Sequence, residues 1–340
     1  MLVKMLAGRI FSLYLSVVIY TVLTTHSALA SEELNILILH SYHPEYKWTN
    51  DIQRGIDEIF TKSKLKISTH IQYMDSKRYQ DTHYFDRLHE IYRHKFLKKR
   101  FDLILTSDDN AFNFMLKHRN NLFPDVPLIF CGVNELSPER LQGLNNLSGI
   151  NEKVNLIGGM KLALKMHPKT KEILIITDAT TTGKRVKKGL QRAIESLPTE
   201  VNYRLLDDIT IENLLSEASS LSENTLIYFT LFFKDSNERT FEAQEVLQML
   251  MQKTEVPIYG VWDFNLGSGI VGGLLTSGLY QGRAAAEKAV SYLEKGKLDE
   301  ADIIFNSPNR YMFDYAQLKR LDIPLPQLPD DSILINKPIT

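Results

Sequence analysis

Short apolar runs alternate with longer segments of helical periodicity along most of the chain. In the first half, the predicted strands are 34–40, 66–74, 102–107 and 127–132. The predicted helices between them are 50–62, 80–99 and 109–119. Each apolar run is short enough to be a strand that is covered on both faces. This βαβαβαβ order predicts a parallel sheet flanked by helices.

The first predicted helix, 50–62, follows a loop that is rich in aromatic residues. Ile52, Ile56 and Phe60 recur at helical spacing, and Thr49 or Asn50 is placed to cap the N-terminus. The preceding stretch, HSYHPEYKW (40–48), therefore reads as a loop that carries three aromatic residues. These aromatic rings belong to no helical or strand pattern, so we expect them to pack against a surface outside the loop. This stretch is therefore a candidate binding loop.

A polar segment, 134–149, interrupts the pattern, and the alternation then restarts. The predicted strands of the second half are 172–178, 201–207, 225–230 and 257–263, followed by a glycine-rich extended piece at 269–277. The predicted helices are 154–166, 183–196, 211–221, 239–252 and 279–295. The sequence thus predicts an α/β protein with two Rossmann-like units and a cleft between them. Ligands of open α/β sheets bind beyond the carboxyl ends of the strands.

The first thirty residues have the pattern of a secretory signal peptide. Lys4 and Arg9 precede an apolar run at 10–22, and the small residues ALA (28–30) offer a cleavage site before Ser31. An uncleaved membrane anchor is the alternative, although the run is short for a span. No later segment reaches spanning length, so we expect no membrane insertion once the signal is removed.

Composition and cysteine usage narrow the setting. Hydrophobic residues make up 44% of the chain, and its 340 residues suggest about two domains. Lys and Arg (40) balance Asp and Glu (41), which argues against a nucleic-acid partner. Cys131 is the single cysteine, so the chain has no internal disulfide and no cysteine for lipidation behind the signal. These features favour the periplasm of a Gram-negative cell.

Polar and aromatic residues follow the predicted strands at their carboxyl ends. Together they suit a small polar organic ligand with apolar parts. The candidate ligand-binding residues are Ser41, Tyr42, Trp48, Asp108, Asp109, Asn134, Asp178, Thr180, Phe232, Trp262 and Asp263. Other roles stay open: the aspartates could simply cap helices, and Phe232 and Trp262 could be core residues. Tyr46 is expected at the surface.

Motifs for cofactors and metals do not hold up. Gly267, Gly269 and Gly272 match G-x-G-x-x-G, but an extended segment follows them rather than a helix. TTTGKR (180–185) lacks the spacing of a phosphate loop. His40 and His43 span a strand end without ligand-like spacing. We therefore expect no cofactor and no metal.

Several stretches together resemble a known family. ILILHSYHPEYKWTNDIQRGI, DLILTSDDNAF, PLIFCGVN, GGLLTSGLYQGRAAAEKAVSYLEKG and NRYMFDYAQLKRLDI are similar to the ABC-transporter substrate-binding family with the type I periplasmic-binding-protein fold. The HSYH variant is similar to sensor regions found ahead of histidine kinase or diguanylate cyclase modules. The resemblance implies two lobes joined by three crossovers, with a ligand trapped in a central cleft. The implied lobes are 32–147 with about 275–298, and 148–274 with about 299–340.

Three functions remain open from sequence. The first is a periplasmic solute-binding protein, without enzymatic activity, that presents its ligand to a membrane permease or a sensor kinase. The second is a periplasmic α/β enzyme that uses Asp108 or Asp178 as acid or base. The third is a ligand-free adaptor for a signalling protein. With no kinase or cyclase segment before Thr340, we expect that any signalling requires a partner or that the chain is a shortened relative of such sensors.

Overall fold

A computed structural model describes residues 33–298 and 303–338. Two sheets, each flanked by helices, form the frame of the molecule. The predicted signal peptide lies outside the described residues.

The first sheet has five parallel strands in the order β2-β1-β3-β4-β5. Its strands are β1 Leu34–His40, β2 Ile67–Tyr73, β3 Leu103–Ser107, β4 Leu128–Asn134 and β5 Leu147–Glu152. Its helices are α1 Lys47–Lys62, α2 Thr82–Lys95, α3 Asp108–Leu122 and the short α4 Pro138–Leu141.

The second sheet has seven strands in the order β12-β11-β10-β9-β8-β6-β7, and only the β10–β11 pair is antiparallel. Its strands are β6 Glu172–Ile176, β7 Asn202–Leu206, β8 Thr225–Phe229, β9 Ile258–Gly260, β10 Gly272–Leu275, β11 Arg310–Asp314 and β12 Ile333–Ile335. The helices of the second half are α5 Leu156–Met166, α6 Thr181–Ile194, α7 Ile211–Ser219, α8 Ala243–Met251, α9 Gly278–Lys295 and α10 Tyr315–Arg320. Single 3-10 turns occupy Asp263–Asn265 and Leu325–Gln327.

Strand β5 was not predicted. The segment 134–149 was interpreted as a polar crossing, yet its end forms β5, which pairs with β4 and completes the first sheet. The sequence signal is weak because Leu147 and Ile150 are the two large apolar residues in LSGINE, although all six residues are buried. The division into lobes remains a prediction, but this pairing places residues 147–152 with the first sheet rather than the second.

Helix α1 begins earlier than predicted. It starts at Lys47, and its N-cap residue, Tyr46, makes no capping hydrogen bond through its side chain. Trp48 therefore lies in the first helical turn instead of the preceding loop, and its side chain is buried. Neither Thr49 nor Asn50 caps the helix. Tertiary packing of Trp48 has overridden the capping signal.

Helix α9 packs against α1 at very short range. A Cβ atom on Gly282 would lie 2.1 Å from the carbonyl oxygen of Ile52, and one on Gly55 would lie 2.2 Å from that of Leu279. Side chains at either glycine would push the helices apart. This contact returns the chain from the second sheet to the first, beside the strands that lead into the cleft.

Burial on both faces of the strands confirms the reading of apolar runs as covered strands. In β1, Ile36 and Ile38 belong to a core shared with the second sheet, whereas Leu37 and Leu39 face a separate core under α2 and α3. All four are essentially inaccessible to solvent. The carboxyl ends of both sheets are thereby held as rigid platforms for the cleft.

Candidate functional site

A small cavity of about 60 Å³ lies where the carboxyl ends of the two sheets meet. Six of the residues that line it are aromatic, and most of the others are charged or polar. The lining residues are Tyr42, Tyr46, Trp48, Lys77, Asp108, Asn134, Glu152, Thr182, Arg185, Leu231, Phe233, Trp262 and Phe264. Rings that pack and polar groups that orient are the usual features of a small-molecule site.

Asp108 supplies a buried carboxylate to the wall of this cavity. It is the first residue of α3, has a left-handed backbone (φ 68°), and accepts a hydrogen bond of 2.8 Å at Oδ1 from the Trp48 indole. Gly132 makes room for it, because a Cβ there would approach Oδ1 to 3.0 Å. Within the part of the chain that the structure describes, Oδ2 is buried without a hydrogen-bond partner. This acceptor oxygen is therefore left unsatisfied at the wall of the cavity.

Glu152 supplies a second carboxylate, paired with the second tryptophan. Its Oε1 accepts a hydrogen bond of 3.0 Å from the indole of Trp262. Asn134 approaches the other oxygen at 3.5 Å. Glu152 ends β5 in the first sheet, whereas Trp262 follows β9 in the second. This hydrogen bond therefore joins the two halves across the cleft.

Burial dominates the electrostatics of both carboxyl groups. It raises the pKa of Asp108 to about 7, and the indole of Trp48 opposes the shift. It raises the pKa of Glu152 to about 8, helped by the nearby charge of Asp108. Two acids that face the same dry cavity disfavour simultaneous ionisation. A cation brought into the cavity would stabilise their charged forms.

The ammonium of Lys77 lies among the rings of the cavity. Its Nζ is 4.6 Å from the ring centroid of Tyr42, 5.2 Å from that of Tyr46 and 5.7 Å from that of Phe233. These distances are within the range of cation–π attraction. Although Lys77 is exposed as a residue, its ammonium is surrounded by protein, and that desolvation lowers its pKa.

Trp262 and Phe264 complete the aromatic wall on the side of the second sheet. Their rings stack with centroids 6.0 Å apart and an angle of 15° between the ring planes. Trp48 meets Phe264 edge-on at 6.5 Å. One continuous aromatic surface therefore spans both halves of the molecule.

A larger cavity of about 860 Å³ adjoins the small one. The two share Asn134, Glu152, Thr182, Arg185 and Trp262 as common walls. The large cavity is otherwise lined by polar and basic residues together with parts of α5 and α6. The small cavity thus adjoins a roomier part of the cleft.

Five of the eleven residues predicted for ligand binding line the small cavity: Tyr42, Trp48, Asp108, Asn134 and Trp262. A sixth, Asp109, lies at its edge. Asp109 accepts a hydrogen bond of 3.0 Å from Asn134 and lies within ion-pairing distance of Arg140 and Arg185. Its position makes it a support for the wall rather than part of it.

The other predicted residues do not line the cavity, and each has a structural task. Ser41 bonds the carbonyl of Ser107 and the N–H of Ala111. Phe232 is buried in the core beside Phe241. These residues lie next to cleft residues in sequence, but their side chains point into the protein.

Asp178 and Thr180 form a tight turn ahead of α6. Asp178 accepts hydrogen bonds from Thr180 at Oδ1 and from the N–H of Phe233 at Oδ2, and Thr180 caps the helix through Gly183. Asp263 is buried near Ser277 at the start of α9, and burial raises its pKa to about 6. Helix α6 is thus capped by Thr180, and Asp178 holds the turn ahead of it rather than capping the helix itself.

Several cavity residues were missed by the sequence reading. Tyr46 was placed at the surface and instead lines the cavity, and Phe233 lines it in place of its neighbour Phe232. Lys77 follows the carboxyl end of β2, and the candidate residues predicted from strand ends include none from β2. Glu152 was hidden because β5 was not predicted. Arg185 is the last residue of TTTGKR, which lacks the spacing of a phosphate loop, and was not predicted as a ligand-binding residue.

No helix within residues 33–298 and 303–338 is both long and apolar enough to cross a membrane. In the same ranges, no group of three or more His, Cys, Asp or Glu side chains is arranged to hold a metal ion.

Comparisons with known proteins identify the fold. No protein-family model matches the chain, and no curated protein sequence matches it significantly. Among solved structures, it is similar to the ligand-free, open form of CD0873, a substrate-binding protein with adhesive properties from Clostridium difficile. That match has a TM-score of 0.63 and 15% identity, and covers 89% of this chain and 99% of the other.

Two further structures have bound ligands. An ABC domain from Streptococcus pneumonia in complex with L-Trp matches with a TM-score of 0.58 and 14% identity, covering 89% of this chain and all of the other (100%). A solute-binding protein of an ABC transporter from Rhodopseudomonas palustris, in complex with 3,4-dihydroxybenzoic acid, matches with a TM-score of 0.51 and 10% identity, covering 79% and 83%. At such identities the likeness establishes the fold, which is the two-lobe type I periplasmic-binding-protein fold. The predicted fold class is confirmed.

Proposed function

We propose that this protein is a periplasmic solute-binding protein that captures a small organic ligand between its two lobes and presents it to a membrane partner. The observation that carries the proposal is the aromatic and polar cavity at the carboxyl ends of both sheets. Residues from each half line it, so a ligand there would contact both and favour the closed arrangement.

The ligands of similar structures support a binding role. L-Trp and 3,4-dihydroxybenzoic acid, bound by the two proteins described above, both combine a ring with polar groups. The cavity of this chain offers the matching chemistry, with aromatic surfaces from Trp48, Trp262 and Phe264 beside the polar groups of Asn134 and Thr182. The proposed ligand is therefore a small molecule with an apolar frame and polar substituents.

The chain contains two tryptophans, and both lie in the cleft, so intrinsic fluorescence reports on this site alone. We expect a ligand from a metabolite screen at millimolar concentration to change the emission and to raise the melting temperature. Saturation at about 100 times Kd stabilises a protein by about 2.7 kcal/mol. A broad screen in which no compound shifts either signal would refute the proposal.

The membrane partner is proposed to be an ABC permease or a sensor kinase. Photo-crosslinking from the rim of the cleft in native membranes, with and without ligand, distinguishes them by the mass of the captured protein. Tyr42→Ala combined with Trp48→Ala provides the functional control. If partner signalling were unchanged in that double variant, the adaptor alternative would be favoured over ligand capture.

The enzyme alternative is weakened by where the two predicted carboxylates lie. Asp108 lines the cavity, whereas Asp178 is held by Thr180 and by the backbone of Phe233. We expect an identified ligand to be recovered chemically unchanged after prolonged incubation with the protein. Turnover that Asp108→Asn abolishes, with binding retained, would instead establish an enzyme.

A further inference from the structure

Lys77 is held in the cavity by its ring contacts. Within the described residues, its Nζ has neither a hydrogen bond nor an ion pair, and its partners are the rings of Tyr42, Tyr46 and Phe233. The residue is exposed overall, so its side chain can swing into solvent without disturbing the core. A cation in an aromatic site that is so weakly fixed can be replaced by another cation.

The carboxylates of the cavity have no cation in direct contact with them. Asp108 and Glu152 accept hydrogen bonds from tryptophan indoles, but neither forms an ion pair within the described part of the chain. The other cation of the lining, Arg185, lies within ion-pairing distance of Asp109 and Glu135. Buried carboxylates are costly unless they are paired. Lys77 acts on both carboxylates only at longer range, so Asp108 has no cation in direct contact.

The unpartnered oxygen of Asp108 is the atom to which an added cation would donate a hydrogen bond. Its Oδ2 is buried and has no hydrogen-bond donor within residues 33–298 and 303–338, and Asp108 lines the same cavity as the rings that Lys77 contacts. An ammonium group carries several N–H donors and prefers aromatic faces when it is removed from water. A ligand carboxylate in the same position would add like charge and leave this oxygen unsatisfied.

We propose that the ligand carries an organic ammonium group on an apolar or aromatic frame, bound between the rings of Tyr42, Tyr46 and Phe233 and the carboxylate of Asp108. The Lys77 ammonium occupies the ring site in the ligand-free protein, and the ligand displaces it. This inference rests on the solute-binding function proposed above and names the chemical class of the solute. The adjoining cavity of about 860 Å³ gives the rest of such a molecule room to extend.

A set of probes that differ in charge tests the inference. The probes are 2-phenylethylamine, 2-phenylethanol, 3-phenylpropanoate and phenylalanine, titrated by tryptophan fluorescence and calorimetry. We expect the amine to bind more tightly than the alcohol and the carboxylate. Lys77→Met should strengthen amine binding by about two- to fivefold, because a competing cation is removed while the stem is kept. Asp108→Asn should weaken it at least about tenfold.

Lys319→Met is the matched control. Lys319 also lies over a ring, 5.8 Å from the centroid of Tyr315, but outside the cleft lining. Its replacement should leave amine binding unchanged. Circular dichroism and the melting temperature verify that each variant is folded before its affinity is compared.

The outcomes separate the two proposals. Tight binding of 3-phenylpropanoate that Lys77→Met abolishes would make Lys77 the partner of an anionic ligand, and would overturn the inference while solute binding stands. If no probe binds, the charge of the first compound found by the broad screen decides: an amine supports the inference, and a neutral or anionic compound overturns it. A screen with no binder of any charge would overturn the solute-binding function itself.

Discussion

Two corners of the molecule begin with an aspartate at the end of a strand and differ in what that aspartate does. At the β3–α3 corner, Asp108 turns its carboxylate to the cavity, bonds Trp48 and leaves one oxygen without a partner. At the β6–α6 corner, both oxygens of Asp178 are occupied by Thr180 and by the backbone N–H of Phe233. The same residue type in the same topological position anchors the fold in one lobe and faces the cleft in the other.

The local backbone explains this difference. Asp108 is itself the first helical residue, and its left-handed φ of 68° directs the side chain away from the free N–H groups of α3. Asp178 precedes its helix by a short turn, which brings N–H donors within reach. A polar group left unsatisfied at a strand end is therefore better evidence for a binding role than the residue type alone.

The largest effect is expected from removing the anchor. Asp178→Asn replaces one acceptor oxygen with an NH2 group that cannot accept from Thr180 or Phe233. We expect the free energy of unfolding in urea to fall by about 2–3 kcal/mol. Asp108→Asn is the matched variant and should cost much less, because the bond from Trp48 can be kept by the amide oxygen. Equal losses in both variants would show that the corners do not differ as described.

Trp48→Phe sharpens the comparison from the other side. The change removes the indole N–H that donates to Oδ1 of Asp108, and part of a buried ring. We expect a loss of about 1–2 kcal/mol in the free energy of unfolding, measured by urea denaturation followed by circular dichroism. Trp262→Phe is the parallel control at Glu152. A stability equal to wild type would mean that the indole bond contributes nothing.

Much of the scaffold could be predicted from sequence, because buried parallel strands are continuous apolar runs. β1, β3 and β8 were predicted to within about two residues at each end. β5 escaped because burial there is achieved by Ser148, Gly149 and other small or polar residues packed at a sheet edge. The sequence pattern indicates how hydrophobic a segment is, whereas its burial also depends on the elements that pack over it in the fold.

The site was only partly predictable for a related reason. Strand ends identified Trp48, Asp108 and Trp262, since topology alone brings those positions to the cleft. Whether a side chain at a strand end points outwards depends on the turn that follows, as Phe232 and Phe233 show: one is buried in the core and its neighbour lines the cavity. The sequence therefore predicts which strand ends border the cleft, but the geometry of the following turn determines which side chain lines it.

The two acids of the cavity should make stability depend on pH. Burial raises the folded-state pKa of Asp108 to about 7 and of Glu152 to about 8, above the values expected in the unfolded chain. The folded state then holds more protons at these two groups, so their contribution to stability is full below about pH 4 and is lost as pH rises towards 8. His40 acts in the opposite direction, since burial lowers its pKa to about 4, but its contribution is complete about one pH unit above its unfolded value of 6.5.

The window from about pH 7.5 to 8.5 therefore reports mainly on the two acids. We expect wild-type stability to fall there by on the order of 1 kcal/mol, and Asp108→Asn with Glu152→Gln to flatten the slope. Urea denaturation at fixed ionic strength across this window is the measurement. Stability that rises with pH in this range, or a slope unaffected by the two substitutions, would contradict the electrostatic description of the cavity.

The smallest expected effect is on the rate of ligand release, through the ion pairs that Arg185 of α6 forms with the first half of the chain. Arg185 on α6 lies 3.9 Å from Asp109 and 3.8 Å from Glu135, both from the first half of the chain. Half-exposed pairs at these distances contribute roughly 0.2–1 kcal/mol. Arg185→Gln should therefore speed ligand release by no more than about fivefold, as followed by stopped-flow tryptophan fluorescence.

Arg87→Gln is the control for this prediction, because Arg87 pairs with Glu90 within one helix, 3.7 Å away and exposed to solvent. Its release rate should equal that of wild type, and added salt should narrow the gap between the two variants, since exposed ion pairs are screened. If both variants released ligand at the wild-type rate, the ion pairs of Arg185 would not hold the cleft closed. The contribution of the β6–α6 corner would then be limited to the anchor at Asp178 and to the wall formed by Thr182.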